Sequence, residues 1–287
     1  MARKTRILCL HGYGTSGAIF KSQTSSFRQH LAREVDADEF EFDFVNGPKL
    51  SGPAAGIDLF YPGPYYCYWQ TDYTLDDIAI ARTWLKDHIA HHGPYDGVMM
   101  FSQGCLLVSS LLLHHEKECA SATDPTSPPP PPPFKFAIFI CGGVSLLELE
   151  NHLGFTVAPE LWELDKASRS ALQSRAASAA ILAEGSKRWR NDVLNMTNRS
   201  TEELAQMLKG PYKIRIPTVH VVGSRDPRYF SGMQLANLCH PNVRKVFDHG
   251  GGHEIPRTEY TSSTIARLIR WVSSPAATVE ADVLPDS

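Results

Sequence analysis

Val98-Met99-Met100-Phe101 is an apolar run of strand length that stops at Ser102-Gln103-Gly104, and a helical pattern through Leu106-Leu107-Val108 begins at once. A run this short and apolar at every position reads as a strand buried on both faces, the habit of a parallel sheet covered by helices. Ser102 then falls on a sharp strand-to-helix turn, the layout of a nucleophile elbow. There a hydroxyl stands above the strand end, beside the first helix amides and the positive end of the helix dipole. Taken alone, the same residues read as an ordinary helix N-cap. The usual elbow pattern is Gly-x-Ser-x-Gly, and Met100 occupies the first glycine position. A methionine there either shifts the turn or fills a pocket that glycine leaves empty.

The same punctuation recurs along the chain. Residues 6–10 are continuously apolar after Arg6 and stop at His11-Gly12-Tyr13-Gly14; residues 40–45 alternate and close at Asn46-Gly47-Pro48. Residues 136–140 end at Cys141-Gly142-Gly143, residues 216–222 run into Gly223-Ser224-Arg225-Asp226-Pro227, and residues 243–247 precede Asp248-His249-Gly250-Gly251-Gly252-His253. Helical patterns separate them: residues 22–35 with Phe27 and Leu31 on one face, residues 76–89 with Ile78, Ile80, Ala81, Trp84 and Leu85 as an apolar stripe, and residues 261–272. Strands alternating with helices predict one α/β domain, and 287 residues at 43% hydrophobic content are enough for its core.

This domain is predicted to span residues 1–274, with a loose tail at 275–287. Two insertions interrupt it. Residues 121–134 carry an uninterrupted proline run, Pro128 to Pro133, whose missing amide donors favour an extended, solvated surface segment. Residues 146–210 lack strand signals and carry helical stretches, including an alanine-rich tract at 166–184 and a capping box at Ser200–Glu203. A helical block there is placed to act as a cap over the strand ends, or to be mere helical decoration.

Composition excludes several classes. A net charge of −3 without a basic stripe points away from nucleic acid, and no apolar run reaches the roughly 18 residues a membrane helix needs. The basic start, Met1 to Arg6, is followed by too short an apolar run for a secretory signal, so a cytoplasmic protein is expected. The six cysteines lie apart without CxxC pairing, which argues against disulfides and a zinc site, and Asn198-Arg199-Ser200 is read as a chance sequon. The glycine-rich turn after residue 10 fits neither common phosphate-binding pattern.

What remains is an ordered set of turns. The glycine turn at Gly12-Tyr13 leaves an amide pointing at the strand ends, Ser102 follows on its elbow, Asp226 sits after a late strand, and His253 follows the last one. Ser, Asp, His is the chain order of the α/β-hydrolase triad. In that arrangement His253 is the base for Ser102, Asp226 orients the imidazole, and the amides of Tyr13 and Gln103 bind an oxyanion. Of the two histidines in the last loop, His253 is the better placed. The aromatic segment 59–69 reads either as a roof over the core or as an apolar wall for an acyl group, with Tyr61, Tyr65, Tyr66 and Trp69, beside His11, as candidate substrate contacts. No metal or organic cofactor is called for.

The chain resembles the FSH serine hydrolase family. The resemblance lies in Leu8-Cys9-Leu10-His11-Gly12-Tyr13, in Tyr95-Asp96-Gly97 leading to Phe101-Ser102-Gln103-Gly104, in Gly223 with Asp226, and in His249-Gly250-Gly251-Gly252-His253. It covers about residues 6–272, and Met100 departs from the family's Gly-Phe-Ser-Gln-Gly. The resemblance implies an α/β-hydrolase fold with a mostly parallel sheet. It implies hydrolysis of an ester or thioester, polyketide release being one setting, with a substrate free or presented on an acyl carrier protein, and the aromatic segment and the cap favour an apolar acyl chain. Acyl transfer or cyclisation by the same triad, and a catalytically weak binding protein, are the alternatives.

Overall fold

The computed structural model describes residues 3–34, 39–122, 129–189, 200–274 and 277. The chain opens with β1 (Thr5–Leu10), α1 (Gly17–Gln23), α2 (Ser25–Glu34), β2 (Phe40–Val45), β3 (Lys49–Ser51), β4 (Tyr65–Cys67), α3 (Leu75–His92), β5 (Gly97–Phe101), α4 (Gln103–Ala120) and β6 (Phe136–Ile140). The helical insertion follows as α5 (Leu146–His152), β7 (Thr156–Val157), α6 (Pro159–Ala176), α7 (Ser178–Glu184), α8 (Thr201–Gln206) and β8 (Leu208–Lys209). The sheet is then completed by β9 (Thr218–Val222), α9 (Tyr229–Asn237), β10 (Arg244–Asp248) and α10 (Glu259–Ser273).

Six strands form one parallel sheet in the order β10-β9-β6-β5-β1-β2. Alternation along each strand divides its apolar side chains between two cores. Leu8, Leu10, Val98, Met100, Ala137 and Phe139 face the side covered by α3 and α4. Ile7, Cys9, Met99, Ile138, Ile140, Val219 and Val221 face the other, which Phe27 and Leu31 of α2 and Ile265 and Ile269 of α10 cover. Because every strand runs the same way, all their C-terminal ends share one edge. The winding direction reverses between β1 and β5, which leaves a crevice at that edge.

Met100 fills space under the elbow. It pairs with Leu10 of β1 and Phe139 of β6, is fully buried, and packs in the same core as Cys105 at the start of α4. The Cys105 thiol donates to the Met100 carbonyl at 3.3 Å. Of the two sequence expectations for this residue, the filled pocket is the one found.

Several expected elements differ in detail. The helix expected at 22–35 is two, broken at Thr24, whose hydroxyl donates back to the Phe20 carbonyl at 2.8 Å; Val35 lies outside the described residues. In α3, Ile80 is 60% exposed rather than part of the stripe, because the helical phase turns it away from Ile78, Ala81 and Leu85. The alanine-rich tract is divided at Ala177, which is extended at φ −55° and ψ 142°. The cap region contains strand after all: β7 and β8 pair antiparallel, two residues each, too short to leave a pattern in sequence. The capping box at Ser200 and Glu203 forms. Pro129 to Pro132 are exposed, while 123–128, 190–199 and nearly all of the expected tail lie outside the described residues.

Met100→Ala is expected to lower the stability of the fold by about 2–5 kcal/mol, since the space it vacates is enclosed by sheet and helix. Urea denaturation should show a lower midpoint at an unchanged slope.

Candidate active site

Each functional side chain follows one strand of the parallel sheet. Ser102 follows β5 at φ 50° and ψ −109°, a conformation that few non-glycine residues adopt. It occupies the N-cap position of α4, yet its side chain makes no capping bond. The hydroxyl instead donates to His253 Nε2 at 3.0 Å. His253 Nδ1–H in turn donates to Asp226 Oδ2 at 2.7 Å, so the carboxylate selects the tautomer that leaves Nε2 free to accept. The other oxygen, Oδ1, accepts the backbone N–H of Arg228 at 2.7 Å. Asp226 is buried on the turn after β9, and His253 sits after β10 with its ring 5.2 Å from that of Phe101. The structure thus brings together the three residues that sequence singled out.

The strained serine is held from below. Its N–H donates to the Ile140 carbonyl of β6 at 3.1 Å. Gly104 has no room for a side chain: a Cβ there would lie 2.8 Å from the Leu10 carbonyl oxygen and 3.0 Å from that of His11. The turn after β1 is equally close, since a Cβ on Gly12 would come 3.3 Å from Ser102 Cβ. The Tyr13 backbone is therefore next to the elbow, and the Gln103 amide, first in its helix, lacks an intrahelical acceptor. In the last loop Gly252 lies under Trp189 of the insertion, where a Cβ would fall 2.0 Å from the indole. His249 is not part of the chain of hydrogen bonds to Ser102; its Nδ1 accepts the Gly251 N–H at 3.1 Å, and burial lowers its pKa.

Two cavities meet at Ser102. One of 390 Å³ is bounded by Trp69, Leu106, Gly142 and Arg169. The other, of 620 Å³, is walled mainly by apolar groups, among them Ala55, Ile57, Phe60, Tyr61, Ile181 and Ile255. Tyr13, Leu172 and Gln173 border both, so α6 of the insertion forms a shared wall.

The expected substrate contacts are corrected in part. Tyr61 lines the larger cavity and Trp69 the smaller, but Tyr65, Tyr66 and His11 line neither. The Tyr65 hydroxyl is turned back to the Tyr61 carbonyl at 2.7 Å. Tyr66 is bridged through its backbone to Gly14 and Thr15, and it borders a separate hollow that Asp43 and Asn46 also line. His11 is a buried strut: Nε2 accepts the Gly47 N–H at 2.9 Å and Nδ1–H donates to the Gly12 carbonyl at 2.6 Å. Burial lowers its pKa from an ordinary 6.5 to about 4.

Sequence reasoning assigned Gln103 only a backbone role. Its side chain also accepts the Tyr68 N–H at 3.1 Å and donates to the Trp69 carbonyl at 2.7 Å, pinning the aromatic segment to the elbow. A long amide just ahead of the apolar run Cys105 to Val108 was the available signal. Donor groups with spacing compatible with an ion occur twice among the described residues, at His114, Glu148 and His152 and at Cys141, Asp226 and His253. In the first, Glu148 is already bound by Arg82 and Ser110. In the second, Asp226 and His253 are bound to each other, and burial pushes the Cys141 thiol well up. No helix among the described residues is long and apolar enough to cross a membrane.

A parallel sheet with a serine, a histidine and an aspartate joined at its C-terminal edge defines a serine hydrolase of the α/β-hydrolase fold. The serine hydrolase (FSH1) family matches residues 1–265, and the chain belongs to that family. Esterase FPY3 of Fusarium mangiferae is 29% identical over 272 residues, covering 94% of this chain and 98% of the relative. Esterase alnB of Emericella nidulans is 28% identical over 265 residues, covering 88% and 91%. The crystal structure of esterase PE8 matches 94% of each chain at 16% identity with a TM-score of 0.48.

Two outcomes follow from this geometry. Gly104→Ala should lower both stability and Ser102 reactivity, because the new methyl meets backbone that cannot yield without moving the turn; denaturation and covalent labelling of the serine measure the two. His11 favours the folded state while neutral. Its contribution is complete above pH 6.5 and is lost as pH falls toward 4, by about 3 kcal/mol at roughly 1.4 kcal/mol per pH unit. Urea titrations of wild-type protein and His11→Gln across that window should show the steeper pH dependence in wild type.

Proposed function

We propose that this serine hydrolase cleaves an ester or thioester of an apolar acyl chain through an acyl-enzyme on Ser102. The observation that carries the reading is that the Ser102 hydroxyl, at a helix N-cap, leaves the helix amides and bonds to His253, whose far nitrogen is held by Asp226. His253 takes the serine proton as Oγ attacks the carbonyl carbon. The resulting oxyanion is received by the amides of Tyr13 and Gln103, a donor of this kind being worth about 3 kcal/mol. His253 then gives the proton to the departing alcohol or thiol, and water, deprotonated by the same imidazole, releases the acid.

The larger cavity supports an apolar acyl group, with Ile57, Phe60, Ile181 and Ile255 on its walls. The names of the fungal esterases above support ester cleavage, and release of a polyketide or similar acyl intermediate, free or on an acyl carrier protein, is the setting we favour. The unpaired cysteines, five of the six buried, fit a reducing cytoplasmic compartment.

Ser102→Ala is expected to abolish both fluorophosphonate labelling and hydrolysis of a short aryl ester; retention of both would exclude the serine as nucleophile. Asp226→Asn should lower kcat by about 10³–10⁴-fold with KM nearly unchanged. Acyl thioesters and esters graded by chain length would test the acyl group, with kcat/KM rising as the apolar chain lengthens.

A further inference from the structure

Arg228 stands two residues after the triad acid and touches both the triad and the insertion. Its backbone N–H holds Asp226 Oδ1 at 2.7 Å, and so sets the orientation in which Oδ2 meets His253. Its guanidinium points the opposite way, into α6. There Nη1 donates to Asp165 Oδ1 at 2.7 Å, to the Asp165 carbonyl at 3.2 Å and to Ser168 Oγ at 2.7 Å, while Nη2 donates to Ser231 Oγ at 3.2 Å. Arg228 is only 8% exposed and Asp165 7%. The second oxygen of Asp165 is taken by Arg169 Nε at 2.7 Å, so the carboxylate is held from two sides.

A buried arginine whose guanidinium is bonded to a buried carboxylate has little freedom, because leaving that partner would strand a charge away from water. The same helix that carries Asp165 and Ser168 supplies Leu172 and Gln173 to both cavities at Ser102. One residue therefore links the position of the cavity wall to the position of the acid. We propose that Arg228 is a positioning residue, and that Asp165 and Ser168 of α6 act through it to hold Asp226 in register with His253. Docking of the insertion then sets reactivity at Ser102 as well as the shape of the site. This inference rests on the triad reading above.

Asp165→Asn and Ser168→Ala test it on a short aryl ester, with fluorophosphonate labelling rates as a second readout and near-ultraviolet circular dichroism as the check on folding. The expected result for Asp165→Asn is a fall of about ten-fold in kcat and in labelling rate with KM changed less than about two-fold; Ser168→Ala should lose about three-fold. A packing role alone would move stability or KM and leave the labelling rate where it was. A folded Asp165→Asn protein that labels and turns over at the wild-type rate, or that loses only in KM, overturns the proposal. Should Asp165→Asn not fold, Ser168→Ala decides, and a wild-type kcat in that variant overturns it. Loss of labelling in Ser102→Ala together with the loss of kcat in Asp226→Asn establishes the triad reading separately, so failure of the coupling is distinguishable from failure of the triad.

Discussion

The chain of two hydrogen bonds from Asp226 through His253 to Ser102 depends on a single constraint, that three loops from non-adjacent stretches of sequence end at one edge. The parallel sheet meets it here, since its strands deliver every following loop to the same side. Ser102 is held at φ 50° by this arrangement, a backbone state costing on the order of 1–3 kcal/mol. The cost is offset locally by the bond to Ile140, the close approach of Gly104 to β1 and the full burial of Met100 below.

Buried polar groups divide the work with the apolar core. Leucine, isoleucine and valine on both faces of the sheet supply non-directional stability, but they cannot fix a loop to a fraction of an ångström. That is left to hydrogen bonds with few alternatives. His11 ties the first turn to Gly47, and Gln103 ties the aromatic segment to the elbow. Each such group would be costly to leave unpaired in its buried position, and this is why it specifies geometry so well.

The insertion is more than a cover. Its α6 and α7 contribute walls to the cavities, Trp189 packs on the glycine loop that carries His253, and Asp165 reaches the acid loop through Arg228. The edge of the sheet that carries Ser102 and the helices above it are thus joined by charged and polar contacts as well as by apolar packing.

The backbone periodicities were legible from residues alone: the short apolar strands, the turns that end them, and the order of Ser102, Asp226 and His253 are local patterns, and local patterns are what a sequence displays directly. Met100 marks the limit, because whether a side chain fills a pocket or displaces a turn depends on Leu10 and Phe139 from other strands. The same holds for the aromatic segment, where Tyr61 and Trp69 reach the cavities while the Tyr65 hydroxyl turns back to the Tyr61 carbonyl and Tyr66 is bridged through its backbone to Gly14 and Thr15. The sequence by itself determined the parallel α/β plan and the order in which Ser102, Asp226 and His253 fall at its strand ends. Tertiary structure alone decided which histidine is a strut, which aromatic rings reach the cavities, and that Arg228 joins the insertion to the acid, since each of these is a contact between residues that no local pattern brings near.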